Sequence, residues 1–330
     1  MNSKRRLVAC LLLATSGLSQ ASAAPLEVYG RLPSLEELAL SPDGSRLAFV
    51  STEGNVRTLA VMGLADRKSI GAVQVGEAKL RWLEWIDSDH LALTVSMTAT
   101  PRGDYWLTRG EFFQLLIYDI PKHRLRNPFE VGAGLTRHSG PAFANFIAGW
   151  PVVREINGLS RVYVQGFMQS DGYIPALFEI DPDKVTARII EKGVESLWSD
   201  WLVNDNGEAA VQEVYHNHAA DKRLAFRVRA NGVLSETIAG HAEVDIPHML
   251  GFAPDEATVW VSCIESGMRV VRPLRLRDGK FGEPMAEAAE YNAVLQGRAT
   301  SRIIAGVTAN QSGALRFLDP HTQGLWSDVL

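Results

Sequence analysis

Few residues of this chain have the types and spacing to do chemistry. His216-Asn217-His218, with Asp221 close behind, is the sharpest metal-like grouping. Alternate residues of a strand share a face, so two imidazoles at i and i+2 could meet one ion. A zinc site takes three or four protein ligands, and Asp221 is the only near candidate for a third. The simpler reading is a solvated loop between strands. The other histidines, at 90, 123, 138, 241, 248 and 321, are scattered. Neither a metal nor any other cofactor is expected.

The remaining motifs are weaker. Arg102-Gly103-Asp104 is three common residues in a turn. Gly132 and Gly134 lack the third glycine and the helix that a phosphate cradle requires. Cys263 lies in TVWVSCI, a strand-like run, and reads as a small buried apolar residue rather than a nucleophile. The stretch TATPRGDYWLTRGEFF, residues 98–113, is different. It joins two strands, is long for a hairpin, and mixes aromatics with arginines; long loops often carry function. Arg102, Tyr105, Trp106 and Arg109 are therefore the candidate peptide-contacting residues.

The elements that must position these residues are strands. LAFVS, LALTVS, RVYVQGF, AAVQEVY, ATVWVSC and RIIAGVT are short runs rich in β-branched and aromatic residues, bounded by turn residues. LALSPDGSRLAFVS, residues 38–51, reads as a hairpin, and decayed copies follow. WLEWIDSDHLALTVS and LWSDWLVNDNGEAAVQEVY both place Trp pairs before an acidic or Asn turn, and MLGFAPDEATVWVSCI is a third version. After each hairpin comes a strand ending in Asp66, Asp119, Asp181, Asn231, Asp278 or Asp319. The intervals are 53, 62, 50, 47 and 41 residues. This period predicts an all-β chain, a β-propeller of about six blade units, with an incomplete seven-bladed ring as a variant. A β-sandwich pair and a β-helix are the competing architectures. Most of the eight tryptophans are expected to pack between blades. Helical candidates are short: LPSLEELAL from about Pro33, and a final turn near HTQGLWSDVL.

The chain begins with a basic MNSKRR, an apolar LVACLLLATSGLS too short to span a bilayer, and a small-x-small site at Ala21-Ser22-Ala23. The expected organisation is a signal peptide over 1–23 cut after Ala23, an N-terminal arm over 24–37, and the propeller over 38–330. The mature protein would be periplasmic or secreted, with no membrane association after cleavage. Cys10 leaves with the leader, so Cys263 is left without an intrachain partner. The formal net charge of −5, without a long basic run past the leader, argues against a nucleic-acid partner.

PLEVYGRLPSLEELALSPDGSRLAFV, residues 25–50, resembles the start of exported bacterial members of the prolyl oligopeptidase family of serine peptidases, acylaminoacyl-peptidase and dipeptidyl-peptidase relatives included. ALRFLDPHTQGLWSDVL resembles the late part of the same propeller. Ser-Pro-Asp-Gly hairpins also occur in Tol-type and WD-repeat propellers. The resemblance implies a propeller that gates an α/β-hydrolase domain carrying a Ser, Asp and His triad. Here the chain departs from the pattern. Gly17-Leu18-Ser19-Gln20-Ala21 lies in the leader, and Gly158-Leu159-Ser160-Arg161-Val162 lacks the second glycine of a nucleophile elbow. No catalytic residue carries over. The expected function is the non-catalytic gating and substrate-selecting propeller of such a peptidase, truncated before its catalytic domain. The alternative is a free-standing periplasmic propeller that binds a protein or peptide. Expected partners are a peptide, a hydrolase domain or another protein, or a second copy joined through open blade edges.

Overall fold

The computed structural model describes residues 30, 32–100, 109–129, 142–169, 173–194, 198–216, 222–242, 246–285, 291–297, 300–308 and 314–329. Strands dominate and follow one another as antiparallel meanders. Unit 1 is β1 (Leu35–Leu40), β2 (Arg46–Glu53), β3 (Val56–Gly63) and β4 (Ser69–Gly76). Unit 2 is β5 (Lys79–Trp85), β6 (His90–Ala99), β7 (Gly110–Asp119) and β8 (Arg124–Arg126). Unit 3 is β9 (Ala142–Ile156), β10 (Leu159–Gln169), β11 (Tyr173–Asp181) and β12 (Thr186–Lys192). Unit 4 is β13 (Trp198–Val203), β14 (Ala209–Tyr215), β15 (Arg223–Ala230) and β16 (Val233–His241). Unit 5 is β17 (His248–Phe252), β18 (Thr258–Glu265) and β19 (Met268–Arg275). Unit 6 is β20 (Tyr291–Gln296), β21 (Ile303–Thr308) and β22 (Leu315–Phe317), followed by helix α1 (Pro320–Val329).

The core decides how these sheets stand. Five apolar clusters each lie between consecutive units. Val50 and Leu59 meet Leu83 and Leu93 between units 1 and 2. Trp82 and Ile117 meet Val164 and Phe178 between units 2 and 3. Tyr163 and Leu177 meet Trp201 and Val203 between units 3 and 4. Phe226 and Val211 meet Val259 and Leu274 between units 4 and 5. Trp260 and Val271 meet Tyr291 and Ile303 between units 5 and 6. Units 2 to 5 thus bury both faces, one against the unit before and one against the unit after, as strand alternation requires. Trp82 turns to unit 3 while its neighbour Leu83 turns to unit 1. The architecture is a β-propeller.

The repeated acid proves to be local turn chemistry. The Asp119 carboxylate accepts the Lys122 N–H at 3.0 Å, Asp66 accepts Lys68, Asp181 accepts Asp183, and Asp278 accepts Lys280, each at 3.1 Å. These side chains replace ladder partners where the third strand ends. Asn231 uses another route: with Gly232 it forms a two-residue turn at φ 51° and 79°, the mirror-image geometry that matches strand twist. Asp319 caps α1, accepting the Thr322 N–H at 2.8 Å just after Pro320 sets the first helical residue.

One expectation needs correction. LPSLEELAL is not helical: Leu35–Leu40 is β1, paired with β2 from Leu35↔Ser51 to Leu40↔Leu47. Glu36 explains why, since it accepts the Thr52 hydroxyl at 2.8 Å and the Arg57 guanidinium at 3.0 Å, ties that only a strand beside β2 and β3 permits. β1 therefore starts inside the stretch read as an arm. Two of the units share a sheet. Phe113 of β7 pairs with Ile147 of β9, which joins units 2 and 3 into one hydrogen-bonded sheet. Residues 1–23, expected to be a signal peptide, lie outside the described residues. Among the described residues no helix is long and apolar enough to cross a membrane.

Candidate functional site

A cavity of about 440 Å³ is lined mainly by the first strands of units 2 to 6, which are taken as the inner strands. β5 brings Trp82 and Arg81 to it, β9 brings Trp150 and Val152, and β13 brings Asp200, Trp201 and Leu202. Gln165 of β10, Met249 of β17, and Gln296 and Ser301 of unit 6 complete the wall. The lining alternates aromatic and polar groups, the mixture typical of a ligand pocket. Trp150 is 57% exposed, so packing does not account for its place there.

Asp200 is the acid in the wall. Directly across the β13–β14 ladder stands Glu213, only 4% exposed, so the two side chains leave the sheet on the same face. The Gln165 amide and the Trp201 backbone N–H both donate to Asp200 Oδ1, the latter at 2.8 Å. The Met249 backbone N–H donates to Glu213 Oε2 at 3.1 Å. Burial pushes the Asp200 carboxyl above its ordinary range, against the pull of those donors and of His248. Burial, with the Asp200 charge adding to it, pushes Glu213 up to about 8 despite the Met249 donor. Two carboxyls so placed favour holding a proton at neutral pH.

The cavity's arginine is already engaged. Arg81 donates to Ser96 at 2.8 Å and pairs with Glu111, which also accepts the Ser96 hydroxyl at 2.6 Å. The Ser96 hydroxyl, then Arg81 and Lys79, hold Glu111 down at about 2. Among the described residues no Lys or Arg pairs with Asp200 or Glu213. Trp201 is 4% exposed, and its Nε1–H has no acceptor among the described residues.

One end of the axis is braced by arginines. Arg154 of β9, almost wholly buried, donates to the Asn204 carbonyl at 3.0 Å and the Thr300 carbonyl at 2.8 Å, reaching units 4 and 6. Arg302 of unit 6 bonds Glu256 of unit 5 at 2.6 Å and pairs with Asp205 of unit 4. These ties gather the ends of the inner strands of four units.

The sequence-level candidates fall elsewhere. Arg102, Tyr105 and Trp106 lie outside the described residues, and Arg109 is exposed at the start of β7. Asn217, His218 and Asp221 also lie outside them. His216 is half-buried just past β14, its N–H bonded to the Arg223 carbonyl at 2.8 Å. No group of three or more His, Cys, Asp or Glu among the described residues is placed to hold a metal ion. Ser160 follows the β9–β10 turn into a strand, unlike an elbow nucleophile. Cys263 is half-buried in β18, and burial first, with Glu265 second, pushes its thiol up, which disfavours the thiolate. Tryptophans 82, 85, 201 and 260 do pack between blades, whereas Trp150 and Trp198 are exposed. Asp200 and Glu213 escaped the sequence reading, although an acid inside the apolar strand AAVQEVY was the available signal.

No family model matches the chain, and no curated protein does. Solved structures give distant likenesses. The β-propeller domain of Cps50 (Swd1) from Myceliophteria thermophila is 12% identical, with 76% of this chain and 72% of that one covered, at a TM-score of 0.40. TolB from Acinetobacter baumannii is 14% identical over 76% of this chain and 54% of that one, at 0.35. The acylaminoacyl peptidase of Pyrococcus horikoshii is 14% identical over 90% of this chain, at 0.44, and the chain spans 47% of its length. The propeller assignment rests on the strand order and the five inter-unit cores, not on these likenesses.

Proposed function

We propose that this chain is the substrate-selecting, non-catalytic propeller of a prolyl oligopeptidase-like serine peptidase. The observation that carries this reading is the axial cavity. It is built from inner strands of five successive units, and its volume of about 440 Å³ suits a few residues of extended peptide and excludes a folded protein. Its lining supports the same reading. Trp150 and Trp82 offer apolar faces, while Gln165, Gln296 and Asp200 offer the few polar groups that orient a ligand. The resemblance of residues 25–50 to exported members of that family supplies the peptidase context. In this role the propeller admits short peptides and holds them, and a separate hydrolase domain performs the cleavage.

The test pairs binding with chemistry on the purified chain. Short peptides are expected to quench or shift tryptophan fluorescence, and a folded protein of similar composition is expected to leave it unchanged. Chromogenic aminoacyl and peptidyl substrates are expected to stay intact, and a fluorophosphonate probe to leave every serine unlabelled. Stoichiometric serine labelling would overturn the non-catalytic assignment, and equal binding of folded protein would overturn selection by size.

A further inference from the structure

Among the described residues, units 1 and 6 each enter one core, whereas units 2 to 5 enter two. The uncovered face of unit 1 is nonetheless built as core. β2 and β3 carry unbroken apolar runs at 47–50 and 59–62, the pattern of strands covered on both sides. Ala48, Val50, Leu59 and Val61 turn one half of those runs onto unit 2. The other half lines up across the sheet in two rows, Leu38–Phe49–Ala60 and Leu40–Leu47–Met62. Neither row enters any of the five cores, and Leu38 and Leu40 are 54% and 56% exposed. Unit 6 repeats the arrangement. Leu295, Ala305 and Phe317 form a cross-strand row outside the core shared with unit 5, and Val307 and Leu315 continue the same face. Leu295 is exposed, and α1 extends the surface: Trp326 meets Phe317 with ring centroids 5.7 Å apart, and Leu325 is exposed.

The molecule itself shows what covers faces of this kind. Each of the five junctions joins a forward face, turned to the following unit, to a backward face, turned to the preceding one. Unit 1 keeps an unused backward face and unit 6 an unused forward face. The two are complementary in kind, and neither is its own complement. We propose that a second copy of this chain covers them, with the forward face of unit 6 in one copy seated on the backward face of unit 1 in the other. The contact is head-to-tail, so each copy brings a different surface to it. Burial of the leucine, phenylalanine and methionine side chains drives it, and exposed apolar surface of this extent marks an interaction site. The inference is independent of what the cavity holds, since unit 1 does not line that cavity.

Complementation between two blocked chains tests this by light scattering. The parent chain is expected to rise to twice its single-chain mass or more as concentration increases. One variant carries Leu38→Lys and Leu40→Lys and keeps only the unit 6 face. The other carries Leu295→Lys and Leu325→Lys and keeps only the unit 1 face. All four sites are exposed, so circular dichroism is expected to match the parent, and glutamine at the same positions gives a milder pair. Each variant alone is expected to stay monomeric. An equimolar mixture of the two is expected to form a dimer and stop there, because one intact face of each kind remains. A parent that stays monomeric at every concentration would overturn the proposal, whether its ring closes on itself or another protein covers the faces. A unit 6 variant that still dimerises alone would overturn it too, by showing that unit 1 faces join like to like. So would a mixture that stays monomeric while the parent associates.

Discussion

Glu213 is a buried acid of β14 whose proton ties stability to pH. The folded chain keeps it protonated up to about pH 8, whereas an unperturbed glutamate ionises near 4.5. Between those values the folded state binds more protons than the unfolded one. Its stability contribution is therefore complete below 4.5, falls as pH rises, and is gone above about 8. Glu213→Gln keeps an acceptor for the Met249 N–H and removes the titration. Urea unfolding is expected to show the variant more stable than the parent at pH 8.5 by on the order of 1–3 kcal/mol, with the two converging near pH 4. His90 makes a second pH-sensitive contact, and it bridges two blades. Burial pulls its pKa down, but Asp87 at 2.9 Å, with Asp183 and Asp119 at 3.7 and 3.9 Å, outweighs that and leaves it raised. The charged imidazolium therefore stabilises the junction of units 2 and 3 below about pH 6.5, and that stabilisation is lost as pH rises through the raised value. NMR titration of the His90 ring is expected to give a midpoint above 6.5, and Asp183→Asn is expected to lower it.

At the scale of elements, Arg154 shows how one side chain can hold several blades. It satisfies the carbonyls of Val203, Asn204 and Thr300, and without it these acceptors face each other in a buried space. Arg154→Met is expected to cost about 3 kcal/mol in urea unfolding, because it strands acceptors rather than a surface pair. A loss under about 0.5 kcal/mol would show that the brace is ornamental. This tie was illegible in the sequence, since its partners lie 50 and 146 residues away. The turn acids were legible for the opposite reason: Asp119 and Lys122 meet within three residues, so the chemistry is written locally. β1 misled the reading because Leu32, Leu35, Leu38 and the two glutamates fit a helical period. Pairing with β2 and the Glu36–Arg57 contact overrode that local preference. The cavity was hidden for a related cause. Asp200 and Glu213 become neighbours only through the β13–β14 register, which one residue of slip would reverse.

For the whole molecule, the propeller follows from five inter-unit cores that recur in chain order. Among the described residues no sixth cluster joins unit 6 to unit 1. Leu35, Leu38 and Leu40 of β1 are exposed, as are Leu325 and Trp326 of α1. Apolar surface of this kind favours association. Light scattering is expected to show mass rising with concentration, and substituting Leu38 and Leu40 with Lys is expected to suppress the rise. A concentration-independent monomer with a sharp melt would instead indicate a ring that closes on itself. The central claim is that the axis of this propeller holds a peptide. The most direct measurement is photo-crosslinking of a short peptide carrying a diazirine residue, mapped by mass spectrometry. Crosslinks concentrated on inner strands β9 and β13, around Trp150 and Asp200, are the predicted result. Crosslinks confined to outer strands such as β4, β12 and β16 would contradict it.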